Sequence, residues 1–209
     1  MDLVIATRNN GKLREIKAML KGTRIRVLSL DDFPGCPEVV EDKETFRENA
    51  LKKARAVAEY TGKIALADDS GLSVDALGGA PGVYSARFSG PGADDLKNNR
   101  KLLRMMKDVP DERRGAQFVC VMALVGRGQS TGFGTEKTVK GIVRGRITRE
   151  MRGPRGFGYD PLFYYSPKGM TFAQMGPEEK NRVSHRARAL AKIKDIINKM
   201  QLPHSWGRS

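Results

Sequence analysis

The run KIALADDSGL places two adjacent carboxylates, Asp68 and Asp69, in a stretch that is otherwise apolar. Paired acids at a strand end suit a hard, oxygen-seeking cation such as Mg2+, or a base that activates water. Successive side chains of a strand point to opposite faces, so both acids can face one site only where the chain turns. Ser70-Gly71 offers such a turn, although a polar turn with capping aspartates accounts for the same residues. Upstream, Glu38, Glu41, Asp42 and Glu44 form a second acidic group that could supply one more ligand or remain a solvated loop.

Three further constellations carry polar chemistry. IATRNNGKL runs from an apolar strand through Thr7, Arg8, Asn9, Asn10 and Gly11 to Lys12. Backbone N–H groups at a helix start, with an arginine and a lysine beside them, can hold a phosphate. The glycine spacing is not that of a Walker loop, and an ordinary strand-to-helix turn reads the same way. In GFGYDP, Gly156 and Gly158 flank Phe157 ahead of Tyr159 and Asp160. This arrangement allows a flat ligand to approach the backbone and stack on the ring, or simply makes a turn. Finally, Lys180 and Ser184 are four residues apart on a helical pattern, with His185 and Arg186 next to them. Such a group can grip a phosphate or the polar edge of a base, though a lone helical histidine is often structural. Two polyanion grips, an acidic site and a glycine-flanked aromatic together describe a magnesium-bound nucleoside triphosphate.

Composition narrows the classes. The chain has 209 residues, a length that suits one α/β domain, and its 39% hydrophobic and 30% charged residues are ordinary for a soluble protein with a buried core. No apolar run approaches the roughly 18–20 residues that cross a bilayer, and no secretory signal precedes Leu3, so a cytoplasmic address with reduced Cys36 and Cys120 is expected. Two histidines and two cysteines leave no zinc site. DDSGL lacks the nucleophile-elbow pattern of serine hydrolases. The net charge of +14 favours polyanions, yet no basic-aromatic cluster of the single-strand-binding kind is present. No membrane partner and no specific nucleic acid are therefore expected.

The elements that must position these residues follow from periodicity. Residues 3–7 read as a buried strand and 11–20 as a helix, with Leu13, Ile16 and Leu20 on one face. RIRVLSL reads as a second strand. TFRENALKKARAVAEY, residues 45–60, is a helix with capping-box spacing between Thr45 and Glu48. The acidic run is a strand interrupted at the acids. A glycine-rich loop follows, then a helix over 95–106 and a central strand over 116–125. A strand-like, glycine-punctuated stretch covers residues 130–148. A loop entering a strand precedes one long helix from Pro177 onward.

Five stretches, ATRNNGKLREI, TFRENALKKA, ADDSGLSVDALGGAPGVYSARFSG, GFGYDPLF and EEKNRVSHRARAL, occur in this order over residues 6–190. They resemble the inosine triphosphate pyrophosphatase family, whose members act on deaminated purine nucleotides. The resemblance implies an α/β fold in which an elongated mixed β-sheet is flanked by helices, with the nucleotide in a cleft between two lobes. It implies a single pyrophosphatase domain over residues 1–209, usually paired as a homodimer. The implied reaction is hydrolysis of ITP, dITP and XTP to the monophosphate and pyrophosphate. By position, Thr7, Arg8, Asn9, Asn10, Gly11 and Lys12 correspond to the triphosphate loop. Asp69 corresponds to the general base and a Mg2+ ligand, with Mn2+ as an alternative ion. Glu41 matches the second metal-binding acid, and the variable loop length keeps Glu38 open. Lys53, Ser70, Phe157, Gly158, Tyr159, Asp160, Lys180, His185 and Arg186 correspond to substrate contacts. Position 8, often glycine in relatives, is arginine here. A pyrophosphatase for other modified nucleotides and a basic nucleic-acid-binding module are the alternative readings.

Overall fold

A computed structural model of the chain describes residues 1–126 and 136–201. Its strands are β1 (Asp2–Ile5), β2 (Arg26–Leu28), β3 (Ile64–Val74), β4 (Gly115–Val125), β5 (Glu136–Ile147), β6 (Phe163–Tyr165) and β7 (Met170–Thr171). They form one open mixed sheet in the order β2-β1-β3-β4-β5-β6-β7. The β2-β1-β3 edge is parallel, and every later pair is antiparallel. The helices are α1 (Asn10–Leu20), α2 (Phe46–Thr61), α3 (Asp95–Met105), α4 (Pro177–Val183) and α5 (His185–Gln201).

Strand alternation divides the core. In β1, β3 and β4 one set of side chains (Val4, Ala65, Ala67, Val119, Val121) packs with Ala50, Ala54 and Val57 of α2. The opposite set (Leu3, Ile5, Leu66, Cys120, Met122) packs with Ile16 of α1 and Leu190 and Ile193 of α5. A third apolar cluster joins Leu72, Phe118, Phe163 and Phe172 to Leu102 of α3. Each fully buried leucine, isoleucine or phenylalanine contributes about 1.5–3 kcal/mol, so helices pinned on both faces fix the strands between them. The small residues on the buried stripe of α2 let that helix lie close to the sheet.

Two expectations are corrected. β3 does not turn at Ser70-Gly71: it runs without interruption through Asp68, Asp69, Ser70 and Gly71, each paired to β4. The long ladder overrides the local turn signal, and the two acids therefore face opposite sides of the sheet. The C-terminal helix is two helices, because Ser184 leaves the helical region (φ −66°, ψ 159°). Its N–H donates to the Lys180 carbonyl to close α4, and its Oγ accepts from the Ala187 N–H to open α5. One serine thus ends one helix and caps the next. The strand-like stretch from Ser130 is described only from Glu136 onward. Among the described residues, no helix is long and apolar enough to cross a membrane.

Candidate active site

The α1 start is held by its own loop. Asn9 caps the helix, its Oδ1 accepting from the Lys12 N–H at 3.0 Å, and Thr7 Oγ1 accepts from the Asn9 N–H at 3.2 Å. Two of the N–H groups that a phosphate could take are thereby engaged. The side chain of Lys12 lies 2.8 Å from Asp68 Oδ1. Gly11 is required by packing: a Cβ there would come within 2.7 Å of the Phe157 ring. Asn10 begins α1 and takes no part in lining the cleft.

Because β3 is straight, its two acids reach different helices. Asp68 turns to the α1/α5 face, where it meets Lys12 and, at 3.0 Å, the Nε of Arg186. Burial opposes its ionisation, but Lys12, Arg186 and Lys53 together hold its carboxyl well below the ordinary value. Asp69 turns to the α2 face, with Oδ1 3.6 Å from the Lys53 ammonium. That ammonium also bonds Glu41 and the main-chain carbonyl of Asp68. Asp69 Oδ2 is buried without a hydrogen-bond partner. Burial, reinforced by the charges of Glu41 and Asp68, raises the Asp69 pKa against the pull of Lys53 and Lys12.

A cleft opens over Asp69, with Asn9, Lys12 and Glu41 shared by its two halves. The inner half is walled by Phe118, Phe157, Tyr159, His185 and the Asp69–Gly71 stretch. The outer half is walled by Thr7, Arg8, Lys53, Glu38 and Arg87. Of the two candidate acids, Glu41 shares Lys53 with Asp69, whereas Glu38 lies exposed on the outer wall.

The inner half is tightly built. The His185 ring stacks on Phe118 with centroids 4.6 Å apart, and its Nδ1 is buried and unpartnered. Burial, with Arg186 and Lys180 nearby, drives its pKa well below the usual value, so the ring is neutral. The 157–160 loop is fixed by α3: Gly158 N–H donates to Asp95 Oδ2 and Asn99 donates to the Gly158 carbonyl, each at 2.7 Å. Tyr159 and Asp160 are buried; the tyrosine hydroxyl donates to the Ser85 carbonyl at 2.9 Å. Lys180 is buried between Glu15 and Asp160, with its ammonium 4.6 Å from the Phe157 ring centroid. Ser70 Oγ donates to Asp68 and stands beside Arg186.

Sequence reading missed Glu15, which bonds both Lys180 and Arg186 and so joins α1, α4 and α5. Its signal was its place three residues after Lys12 on the same helical face. It also missed Asp95, Asn99 and Ser85, which act through the backbone of the loops and leave no spacing pattern. Among the described residues, no group of three or more His, Cys, Asp or Glu is arranged around a metal position. Glu41 and Asp69 both line the inner half-cleft and share the Lys53 ammonium.

The Ham1 family profile matches residues 3–196. A dITP/XTP pyrophosphatase of Geobacter sulfurreducens is 57% identical over 195 residues, covering 93% of this chain and 96% of that protein. A dITP/XTP pyrophosphatase of Desulforamulus reducens is 50% identical over 202 residues, covering 97% and 98%. The structure of a HAM1 protein from Coxiella burnetii superposes with a TM-score of 0.85 at 39% identity, covering 95% of this chain and 99% of that one. With the family profile, full-length relatives and the same fold all in agreement, this chain belongs to the Ham1 family.

Proposed function

We propose that this chain hydrolyses dITP, XTP and ITP to the nucleoside monophosphate and pyrophosphate; its relatives are named dITP/XTP pyrophosphatases. The observation that carries the reading is the position of Asp69. It lines the aromatic half-cleft able to take a purine and lies 3.6 Å from Lys53, which lines the cationic half-cleft able to take a phosphate chain.

Asp69 is the base in this scheme. It accepts a proton from water, the water oxygen bonds to the α-phosphorus, and the bond to the bridging oxygen breaks to release pyrophosphate. Lys53 holds Glu41 and Asp69 in one place and offsets charge as the leaving group forms. Glu41 and Asp69 would hold Mg2+, or Mn2+ as the alternative. The fit rests on hard oxygen donors and the unpartnered Asp69 Oδ2, with substrate oxygens completing the shell. When bound, the ion would withdraw charge from the phosphate oxygens.

For the base, Phe157 offers a stacking face, and the neutral His185 offers an unpartnered nitrogen beside Arg186. A site built to satisfy a 6-oxo group leaves opposed donors against a 6-amino group and rejects it strongly. A homodimer and a cytoplasmic setting belong to the same reading; light scattering tests the first. The deciding experiment incubates the protein with Mg2+ and dITP, XTP, ITP, GTP or ATP and identifies the released anion. Pyrophosphate from the first three, with little from ATP, is expected. Orthophosphate, or equal rates on ATP and ITP, would overturn the proposal.

A further inference from the structure

The cations of the cleft are not equally free to meet a substrate. Lys12 is paired with Asp68, Lys53 with Glu41 and Asp69, Lys180 with Glu15 and Asp160, and Arg186 with Asp68 and Glu15. A triphosphate brings several negative charges into a site whose main cations already have carboxylates. Among the described residues, the two cleft-lining cations that lack a carboxylate partner are Arg8 and Arg87. Each donates to one main-chain carbonyl, Arg8 to Cys36 and Arg87 to Glu41, both at 2.8 Å. Arg87 otherwise lies over the exposed Tyr84 ring, 5.1 Å from its centroid. Most of its planar fork of N–H donors is unused.

Arg87 also occupies a particular place. It ends the 3-10 turn Gly82–Arg87 that roofs β3, and it lines the outer half-cleft with Lys53 and Thr7. Its single hydrogen bond fixes the loop that carries Glu41. A guanidinium held at one corner of the cleft wall, with donors left over, suits bidentate recognition of a phosphate.

We propose that Arg87 binds the leaving pyrophosphate in the outer half-cleft that Arg8 also lines, and adds its positive charge to that of the carboxylate-paired Lys53. This inference rests on the proposed pyrophosphatase reaction. During the reaction Arg87 exchanges no proton; its N–H groups stay on the two terminal phosphoryl groups as the bond to the α-phosphorus breaks.

The test compares wild type with R87A, R87Q and R87K, using ITP turnover across a Mg2+ titration and, at saturating Mg2+, inhibition by inorganic pyrophosphate and by IMP. Loss of a charge-assisted phosphate contact predicts a kcat/KM lower by roughly 10–100-fold in R87A and R87Q. The pyrophosphate inhibition constant should rise by a similar factor, IMP inhibition should stay unchanged, and R87K should recover part of the loss. Arg87 is exposed, so melting temperatures should stay close to wild type. A pyrophosphate inhibition constant unchanged in R87A overturns the proposal, as does a defect seen only as a raised Mg2+ requirement, which would mark Arg87 as a support for Glu41. Release of orthophosphate by wild type would instead overturn the underlying reaction, whatever the variants do.

Discussion

Asp68 and Asp69 are neighbours in sequence, yet their carboxylates serve opposite faces of the sheet: Asp68 meets Lys12 and Arg186, and Asp69 meets Lys53. One acid anchors two helices, while the other faces the cleft with an unpartnered oxygen. The same conservative substitution should therefore have different consequences at the two positions.

Asp69→Asn removes the proposed base but leaves the Lys53 ammonium its bond to Glu41. It should lower kcat by roughly 10²–10⁴-fold, with a melting temperature near wild type. Asp68→Asn leaves Lys12 and Arg186 without their shared buried carboxylate, at a cost of about 3–5 kcal/mol. Chemical denaturation and ITP turnover, measured on both variants, check this; full activity in Asp69→Asn would remove the base assignment.

His185 predicts a pH dependence of stability. Burial, Arg186 and Lys180 hold its folded pKa well below the ordinary 6.5, so the unfolded chain takes up this proton first as pH falls. The contribution is fully present above about 6.5 and is lost as pH drops below it. Urea denaturation from pH 8 to pH 5 should show wild type losing stability more steeply than His185→Phe. Parallel curves for the two proteins would show that the buried ring is not neutral.

Much of this site was legible in advance because its residues sit in contiguous runs. The α1 start, GFGYDP and the Ser184-His185-Arg186 group all line or support one cleft, as their chemistry suggested. The fold was legible where periodicity is long, as in α2 and β4. What sequence could not show was long-range pairing. The turn residues Ser70-Gly71 stay in a strand because β4 pairs alongside them for the whole length of β3. One helical pattern conceals a break, because Ser184 bonds into both segments. The charge of Lys12 and Lys180 suggested free phosphate grips, but their carboxylate partners come from β3, α1 and the 157–160 loop.

Metal binding should depend on the nucleotide. The candidate wall offers Glu41 and Asp69, both already in contact with the Lys53 ammonium. Mg2+ commonly takes one or two carboxylates and completes its shell with phosphate oxygens and water. Calorimetric titration should show weak Mg2+ binding to the protein alone and at least roughly tenfold tighter binding with a non-hydrolysable ITP analogue, a step of about 1.4 kcal/mol. Equal affinities in the two titrations would contradict a shared metal shell.

Gly71 links packing to the cleft roof. A Cβ at this position would come within 2.3 Å of the Gly82 carbonyl oxygen and 2.5 Å of Ser85 Oγ. Ser85 is the residue whose hydroxyl accepts from the Leu72 N–H and whose carbonyl accepts from Tyr159. Gly71→Ala must therefore push the 3-10 turn off β3 and loosen the Tyr159 anchor at once. A stability loss of about 1–3 kcal/mol is expected from the overlap, together with a raised KM for ITP as the inner wall shifts. Gly176→Ala provides the comparison, since a Cβ there meets nothing within 4 Å; it should stay within about 0.5 kcal/mol of wild type. Thermal unfolding and steady-state kinetics on the pair read both effects, and a Gly71→Ala protein as stable and as active as Gly176→Ala would show that the roof does not rest on this contact.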